Sequence, residues 1–154
     1  MVRHNKMIKV YFDGACEPIN PGGTASYGVI IFQGDKKIWE HSNIVKFMEG
    51  GEHKTSNNVA EYKGLIAALD FLMGKQLNIE EIIFYGDSSL VINQMFGEWK
   101  IKKGLYTRYA KEAKVLLRNM FPKAKGQWIP REKNNIADKL SKDILIKMGI
   151  KIKN

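Results

Sequence analysis

Four acidic residues could carry the main chemistry of this sequence. Asp13 and Asp87 each follow a short apolar run and stand next to a glycine. Glu61 and Asp138 stand in near-identical settings, as the last residues of Asn-Asn-Val-Ala-Glu and Asn-Asn-Ile-Ala-Asp. Clustered carboxylates repel one another unless a cation neutralises them. Such hard oxygen ligands suit Mg²⁺ or Mn²⁺, and two ions about 3.5–4 Å apart can promote phosphodiester cleavage.

Each acid also has a purely structural interpretation. Glu61 and Asp138 lie three residues after an asparagine and could be capping acids in the first turn of a helix. Asp87 could cap a helix that begins at Ser88, and Asp13 could be a turn residue. The metal-site hypothesis therefore requires the elements that carry the four acids to be neighbours in space.

Hydrophobic periodicity predicts five strands and four helices in the order βββαβααβα. Runs rich in β-branched and aromatic residues come first, and the period becomes helical from Asn58. Gly34-Asp35 is typical of a tight hairpin, and a polar loop is expected from Glu49 to Ser56. The predicted strands are Met7–Phe12, Ala25–Phe32, Lys37–Val45, Ile82–Tyr85 and Gln127–Ile129, and the predicted helices are Asn58–Gly74, Ser88–Phe96, Tyr106–Met120 and Asn135–Met148.

This order of elements predicts an α/β fold with a mixed sheet flanked by helices. Three sequential strands can form an antiparallel meander, while strands joined through helices can lie parallel to the first strand. If the first and fourth strands are adjacent and parallel, their ends bring Asp13 and Asp87 side by side. The carboxyl ends of parallel strands are where α/β sheets commonly bind their ligands.

The charge of the chain is unevenly distributed. The net charge is +9, yet residues 1–96 hold 9 Lys and Arg against 11 Asp and Glu. Residues 97–154 hold 16 Lys and Arg against 5 Asp and Glu. A polyanionic partner would explain this excess, because each neutralised phosphate releases counterions. A solvated lysine-rich surface explains it equally well, whereas an anionic membrane fits less well because the segment lacks an amphipathic pattern.

The composition is that of an ordinary globular domain. At 154 residues the chain fits one domain, with residues 1–6 expected as a flexible N-terminus and residues 149–154 as a basic tail. No apolar run approaches the roughly 20 residues that span a bilayer, and no signal peptide is expected. Cys16 is the only cysteine, so no intramolecular disulfide is possible, and we expect a cytoplasmic protein.

Four motifs, taken in order, resemble those of type 1 ribonuclease H. They are Tyr-Phe-Asp13-Gly-Ala-Cys16 followed by Asn-Pro-Gly-Gly, then Asn-Asn-Val-Ala-Glu61, Gly-Asp87-Ser and Asn-Asn-Ile-Ala-Asp138. The resemblance implies a ribonuclease H-like fold with a five-stranded mixed sheet. It also implies an endonuclease that cuts the RNA strand of RNA–DNA hybrids with two Mg²⁺ ions, for which Mn²⁺ can substitute, and leaves 5′-phosphate and 3′-hydroxyl ends. The four carboxylates would then be both catalytic residues and metal ligands.

The same resemblance implies a surface that binds the hybrid duplex. The residues expected to line its minor groove, where the 2′-hydroxyl distinguishes RNA from DNA, are Gly14, Cys16, Asn20, Asn57 and Asn58. Ser88, next to Asp87, is expected to contact the substrate as well. For Asn57 and Asn58 helix capping is the alternative, and one of them could serve both roles.

The sequence departs from the family pattern near the last acid. Relatives of the familiar bacterial kind carry a histidine there that assists catalysis, whereas His4, His41 and His53 all lie elsewhere. Arg131 occupies the loop instead, and Pro130-Arg131 is expected to end the fifth strand. We expect Arg131 to support catalysis, with a surface ion pair to Glu132 or a neighbouring acid as the alternative. A guanidinium cannot shuttle protons near neutral pH, so its chemistry must differ from that of histidine.

A second departure is the short basic segment at residues 97–104, where many relatives insert a basic helix and loop. Its residues expected to bind the substrate are Trp99, Lys100, Lys102 and Lys103. For Trp99 the alternative is a core anchor for the preceding helix. In addition, Ser89 stands where Gln is usual. We therefore expect a compact form of the family without a basic protrusion or a hybrid-binding domain.

Two other functions compete with this prediction. One is a protein of the same fold that binds RNA–DNA hybrids or double-stranded RNA with weak catalysis, which the missing histidine would favour. The other is a nuclease or recombinase that acts on DNA, against which the asparagine-rich segments argue. We expect a monomer, with no membrane and no obligatory protein partner.

Overall fold

The computed structural model describes residues 7–45, 55–75 and 81–153. Within these ranges the elements follow the predicted order βββαβααβα. The strands are β1 (Met7–Glu17), β2 (Thr24–Gln33), β3 (Lys36–Ile44), β4 (Glu81–Gly86) and β5 (Lys125–Trp128). The α helices are α1 (Asn57–Met73), α2 (Ser89–Phe96), α3 (Thr107–Met120) and α4 (Asn135–Lys147), and a short 3₁₀ helix covers Arg131–Lys133.

The five strands form one mixed sheet in the order β3-β2-β1-β4-β5. β1 pairs antiparallel with β2, and β2 pairs antiparallel with β3 across the two-residue turn Gly34-Asp35. β4 pairs parallel with both β1 and β5. The predicted α/β fold, with an antiparallel meander and two strands parallel to the first, is confirmed.

The main core lies between the sheet and α1. Ile8, Val10 and Phe12 alternate along β1 and are each 0% exposed, as expected for the buried face of a strand. α1 contributes fully buried side chains such as Leu65 and Leu69. Burying a side chain of this kind contributes about 1.5–3 kcal/mol relative to leaving it exposed. α3 packs against α1.

Several predicted boundaries differ from the structure. β1 continues to Glu17, because its pairing with β2 continues that far, so the prediction that the first strand ends at Phe12, just before Asp13, is wrong. β5 is shifted by two residues at its start relative to the prediction. The predicted loop from Glu49 to Ser56 lies mostly outside the described residues, as do residues 1–6. Among the described helices, none is long and apolar enough to cross a membrane.

Candidate active site

Parallel pairing between β1 and β4 places two acids side by side. The last paired residues are Tyr11 and Tyr85, and Asp13 and Asp87 each follow two residues later. With Glu61 of α1 they form a cluster in which one carboxylate oxygen of each residue lies within 4.8 Å of the others. The pairing of β1 with β4 therefore confirms the prediction that Asp13 and Asp87 lie side by side.

Two glycines let helices approach Asp13 from both faces of the sheet. A Cβ atom on Gly14 would lie 2.5 Å from the backbone nitrogen of Glu61, so α1 could not lie this close to any other residue. A Cβ atom on Gly28, the β2 partner of Asp13, would lie 2.5 Å from a backbone carbonyl oxygen of α4. Because successive side chains alternate across a sheet, α1 and α4 lie on opposite faces. The two glycines thus bring Glu61 and Asp138 to the strand that carries Asp13.

The cluster is buried, and its negative charges disfavour one another. Asp13 is 4% exposed and Glu61 is 3% exposed. Burial raises the pKa of Asp13 to about 7, and the carboxylates of Asp87 and Asp138 act in the same direction. Burial and the adjacent Asp13 charge raise the pKa of Glu61 well above its usual value. Burial raises the pKa of Asp87 as well.

These three side chains fit a divalent metal ion. All three offer carboxylate oxygens, which are the donors that Mg²⁺ and Mn²⁺ take. The buried Oε2 atom of Glu61 has no hydrogen-bond partner among the described residues. Such an atom costs free energy unless a donor or a cation binds it. A cation would satisfy this oxygen and offset the repulsion, so the donor set indicates dependence on a divalent metal.

Asp138 lies beside the cluster and is already paired. It is in the first turn of α4, as predicted, and is partly buried. Its carboxylate forms an ion pair with Lys142 one helical turn later, with 3.2 Å between Oδ1 and Nζ. The negative charge of Asp138 nevertheless raises the pKa values of Asp13 and Asp87. Asp138 therefore contributes its charge to the site, and its side chain is held in place by the ion pair with Lys142.

Two residues that the sequence analysis left unassigned hold Asp87 in place. The buried Asn134 amide donates to Oδ2 of Asp87 at 3.2 Å and to the carbonyl of Phe12 at 2.9 Å. The indole of Trp128 donates to the carbonyl of Asp87 at 3.1 Å. The repeated Asn-Asn-x-Ala-acid pattern was a signal for Asn134, whereas nothing local to Trp128 indicates its contact.

The capping alternatives are wrong for Glu61 and Asp87. Ser56 caps α1, since its hydroxyl accepts a backbone N–H at 3.2 Å, and Glu61 therefore lies in the second turn instead of the first. Ser88 caps α2 in the same way, with a distance of 3.2 Å. Asn57 lies inside α1 and is not its cap. Helix termination therefore does not explain why Glu61 and the partly buried Asp87 lie together.

The cluster opens into a cleft of about 830 Å³. The wall next to α1 is built by a reciprocal pair in which Asn20 donates to Oδ1 of Asn57 at 2.9 Å and accepts the Asn57 N–H at 3.0 Å. The buried thiol of Cys16 donates to the carbonyl of Ile19 at 3.2 Å. Asn58 does not line the cleft. The predicted site residues that do are Asp13, Gly14, Cys16, Asn20, Asn57, Glu61, Asp87, Ser88, Arg131 and Asp138.

Arg131 reaches the cleft from a different element than expected. β5 ends at Trp128, and Arg131 begins the 3₁₀ helix, so the prediction that it ends the fifth strand is wrong. Pro130 lacks an N–H and cannot continue the ladder, which explains the early end. The positive charge of Arg131 lowers the pKa of Asp87 and opposes the effect of burial. Among the described residues Arg131 forms no ion pair within 4.0 Å with Glu132 or with another acid, so the surface-pair alternative finds no support in the structure.

The basic segment at residues 97–104 lies outside the carboxylate cleft. Trp99, Lys100 and Lys102 line a second groove of about 440 Å³, whereas Lys103 is exposed and lines neither groove. Trp99 is 52% exposed, so the core-anchor alternative is wrong. The structure thus separates the predicted residues into a buried cluster within a cleft and an exposed basic segment.

Six further residues line the carboxylate cleft without having been predicted. Three of them, Ala15, Pro18 and Ile19, are uncharged, and the charged ones are Glu17, Lys142 and Lys153. Lys142 follows Asp138 by four residues, a spacing that favours an ion pair on a helix and could have been recognised. Lys153 reaches the cleft only through the path of the chain after α4, for which the sequence holds no local signal.

Known proteins share both the sequence pattern and the fold. A family model described as reverse transcriptase-like matches residues 12–144. Ribonuclease HI of Halobacterium salinarum is 34% identical over 140 residues, which cover 90% of this chain and 64% of that protein. The chain belongs to the ribonuclease H family. The bifunctional protein Rv2228c of Mycobacterium tuberculosis is 35% identical over 126 residues, and the matched part covers 82% of this ribonuclease H chain but only 32% of the relative.

A solved structure extends this ribonuclease H relationship to three dimensions. LC11-RNase H1, determined in complex with an RNA/DNA hybrid, is 32% identical to this chain. The two structures superimpose with a TM-score of 0.78 over 92% of this chain and 98% of the other. The five-stranded mixed sheet and its flanking helices are thus those of ribonuclease H.

Proposed function

We propose that this ribonuclease H chain is an endoribonuclease that hydrolyses the RNA strand of RNA–DNA hybrids and leaves 5′-phosphate and 3′-hydroxyl ends. The observation that carries the proposal is the cluster of the buried Asp13 and Glu61 with the partly buried Asp87. Their carboxylate oxygens lie within 4.8 Å of one another, in a cleft that also holds amides and cations. The hybrid in the complex of LC11-RNase H1 supports the choice of substrate.

Mg²⁺ is the proposed metal, with Mn²⁺ as a substitute and two ions in the substrate complex. Asp13, Glu61, Asp87 and Asp138 would hold them. When bound, such ions activate a water molecule and stabilise the charge that develops on the leaving oxygen. The protein supplies carboxylates at fixed positions: the Gly14 N–H donates to Oδ1 of Asp13 at 2.9 Å, as the Asn134 amide does to Asp87.

The pair formed by Asn20 and Asn57 is the proposed binding site for the RNA strand. Because Oδ1 of Asn57 accepts from Asn20, the Nδ2 donors of Asn57 remain without a partner among the described residues. Amide donors can bind 2′-hydroxyls and the acceptors at base edges. Gly14, Cys16 and Ser88 line the same cleft, so the strand would contact backbone and small side chains there.

Arg131 is the proposed partner of the scissile phosphate. A guanidinium remains protonated at any pH at which the enzyme would work, so it cannot act as a general base. Its planar fork can instead bind phosphate oxygens bidentately and offset negative charge in the transition state. Its effect on the pKa of Asp87 supports a position close enough to the cluster for such a role.

The exposed basic segment is the proposed binding site for the second strand. Trp99 offers a flat apolar surface, and Lys100 and Lys102 in the same groove offer charges for phosphates. Exposed charges of this kind act mainly through long-range attraction that salt screens. They would therefore set affinity and contribute little to the chemical step.

A substrate panel tests the proposed function. The chain would be incubated with a labelled RNA–DNA hybrid, double-stranded RNA and double-stranded DNA, each with Mg²⁺, Mn²⁺ or EDTA. We expect cleavage of the RNA strand of the hybrid with either metal, none with EDTA, and 5′-phosphate ends on the products. Equal cutting of double-stranded DNA, or cleavage that persists in EDTA, would contradict the proposal. The cytoplasmic location and the monomeric state stay predictions.

A further inference from the structure

The chain after α4 turns back towards the carboxylate cleft. At the end of the helix the Gly149 N–H donates to the carbonyl of Ile146 at 2.9 Å, and the Ile150 N–H donates to the carbonyl of Leu145 at 3.0 Å. Gly149 has a φ of +81°, a conformation that glycine adopts without a steric penalty. This pattern is a Schellman motif, which ends a helix and reverses the chain.

The reversed segment is anchored at the end of β1. The backbone N–H of Lys153 donates to Oε1 of Glu17 at 2.8 Å, across a sequence separation of 136 residues. Glu17 is the last residue of β1. Both Glu17 and Lys153 line the cleft that holds Asp13 and Asp87. The segment after α4 is therefore part of the cleft wall.

The three cations of this cleft have different surroundings. Lys142 is paired with Asp138, and the charge of Arg131 acts on Asp87. Lys153 is exposed, and it forms no ion pair within 4.0 Å with any acidic residue that the structure describes. Its anchored main chain and unpaired ammonium group suit an anion that enters the cleft.

We propose that Lys153 binds a phosphate of the RNA strand close to the scissile bond, an inference that rests on the proposed function. An ammonium group binds phosphate as a compact point charge and needs no fixed orientation, which suits an exposed side chain. The hydrogen bond to Glu17 sets where the side chain begins. Lys153 is thus a substrate-binding residue that the fold supplies from outside the four family motifs.

Lys151 provides a matched control for this role. It lies two residues before Lys153 in the same segment, has the same charge and is exposed, but it does not line the cleft. A general contribution of positive charge would make the two lysines equivalent. A specific interaction with phosphate would make only Lys153 matter.

Steady-state kinetics on the hybrid with Mg²⁺ test the proposal with the full chain. Lys153→Ala should raise KM about tenfold, on the scale of removing one charge-assisted hydrogen bond, and change kcat less than about twofold. Lys153→Arg should restore most of the affinity, and Lys151→Ala should resemble the wild type. Neutral methylphosphonate linkages near the cleavage site should abolish the effect of Lys153→Ala when placed in the RNA strand, but not when placed in the DNA strand.

A binding measurement separates this proposal from the proposed function. In an Asp87→Asn background, which leaves the hybrid intact, Lys153→Ala should lower the slope of log Kd against log salt by about 0.9, the value for one neutralised phosphate. If the wild type fails to cut the hybrid, the proposed function is wrong, and the binding slope still decides the role of Lys153. Equal KM values and equal slopes for the alanine variants of Lys153 and Lys151 would overturn the inference.

Discussion

The carboxylate cluster and the basic segment at residues 97–104 are built in opposite ways for the same proposed substrate. Asp13 and Glu61 are 4% and 3% exposed and are carried by a central strand and a packed helix. Trp99 is 52% exposed, and its neighbouring lysines lie at the surface. Charges interact strongly in a buried site and weakly in water with salt. Substitutions in the cluster should therefore be nearly all-or-none, and those in the basic segment graded and dependent on salt.

The contrast extends to the supports of the two regions. The cluster is held by several backbone contacts, including those of Gly14 and Asn134. The basic segment is held by the buried side chain of Gln94, whose Nε2 donates to the carbonyl of Lys100 at 3.0 Å and to the hydroxyl of Tyr106 at 3.0 Å. The exposed basic segment is thus held by one buried polar side chain, whereas the carboxylate cluster is held by the sheet and by α1.

The largest effect is expected from removing one charge of the cluster. Asp87→Asn keeps an acceptor for Asn134 and nearly the same shape, but it removes a metal ligand. Cleavage of the hybrid with Mg²⁺ should fall more than about a thousandfold, because metal catalysis supplies several kcal/mol of transition-state stabilisation. The thermal transition and the hybrid Kd should remain close to wild type. Asp13→Asn should have the same effects as Asp87→Asn. Turnover close to that of the wild type in either variant would show that the proposed metal ligands are wrong.

Arg131 should have the next largest effect, because it lies at the cleft and not in the cluster. Arg131→Ala should lower kcat about 10²-fold, on the scale of losing one transition-state donor. Arg131→Lys should recover only part of this loss, since the planar fork is missing. Lys133→Ala is the matched control: this exposed cation ends the same 3₁₀ helix but does not line the cleft. If kcat of Arg131→Ala stays within about twofold of wild type, the residue has no part in the chemical step.

The basic segment should give a smaller effect that depends on salt. Replacing Lys100, Lys102 and Lys103 together by Ala should flatten the slope of log Kd against log salt by about 0.9 for each phosphate that the protein no longer neutralises, with kcat nearly unchanged. The slope would be measured with an uncleaved hybrid between about 50 and about 200 mM salt. A control that removes equal charge from the same third of the chain is the triple Ala variant of Lys111, Lys123 and Lys125. Equal slopes for both triple variants would place the duplex on another face.

The smallest effect concerns stability without metal. The pKa of Asp13 is raised to about 7, so between an unfolded pKa of about 3.9 and this value the folded state binds more protons than the unfolded state. Stability in EDTA should therefore fall as pH rises through this window. The Tm should drop by several degrees, since 1 kcal/mol corresponds to about 2–4 °C in a chain of this size. Tm would be measured as a function of pH in EDTA, and it should change less with pH in Asp13→Asn than in the wild type. Identical pH dependence in the two proteins would show that the raised pKa of Asp13 does not affect stability.

Much of the fold was predictable because its signals are local. Strand and helix periodicity predicted the order of the strands and α helices, and connections through helices implied that β4 lies parallel to β1. The sequence predicted that Asp13 and Asp87 lie side by side if β1 and β4 are adjacent, and the structure shows that these two strands are paired. The four motifs then indicated the family, and ten of the residues predicted for the site line one cleft.

The remaining features depend on contacts between residues far apart in the chain. Sequence alone could not show that Gly28 leaves room for α4, that Asn134 holds Asp87, or that Glu61 is buried with an unpaired oxygen. Nor could it show that Lys153 returns to the cleft 136 residues away from its partner on β1. Hydrophobic periodicity is set by neighbours within a few residues, and the sequence determined it. Burial, protonation and the path of the chain after α4 are set by packing between distant elements, and only the tertiary structure decided them.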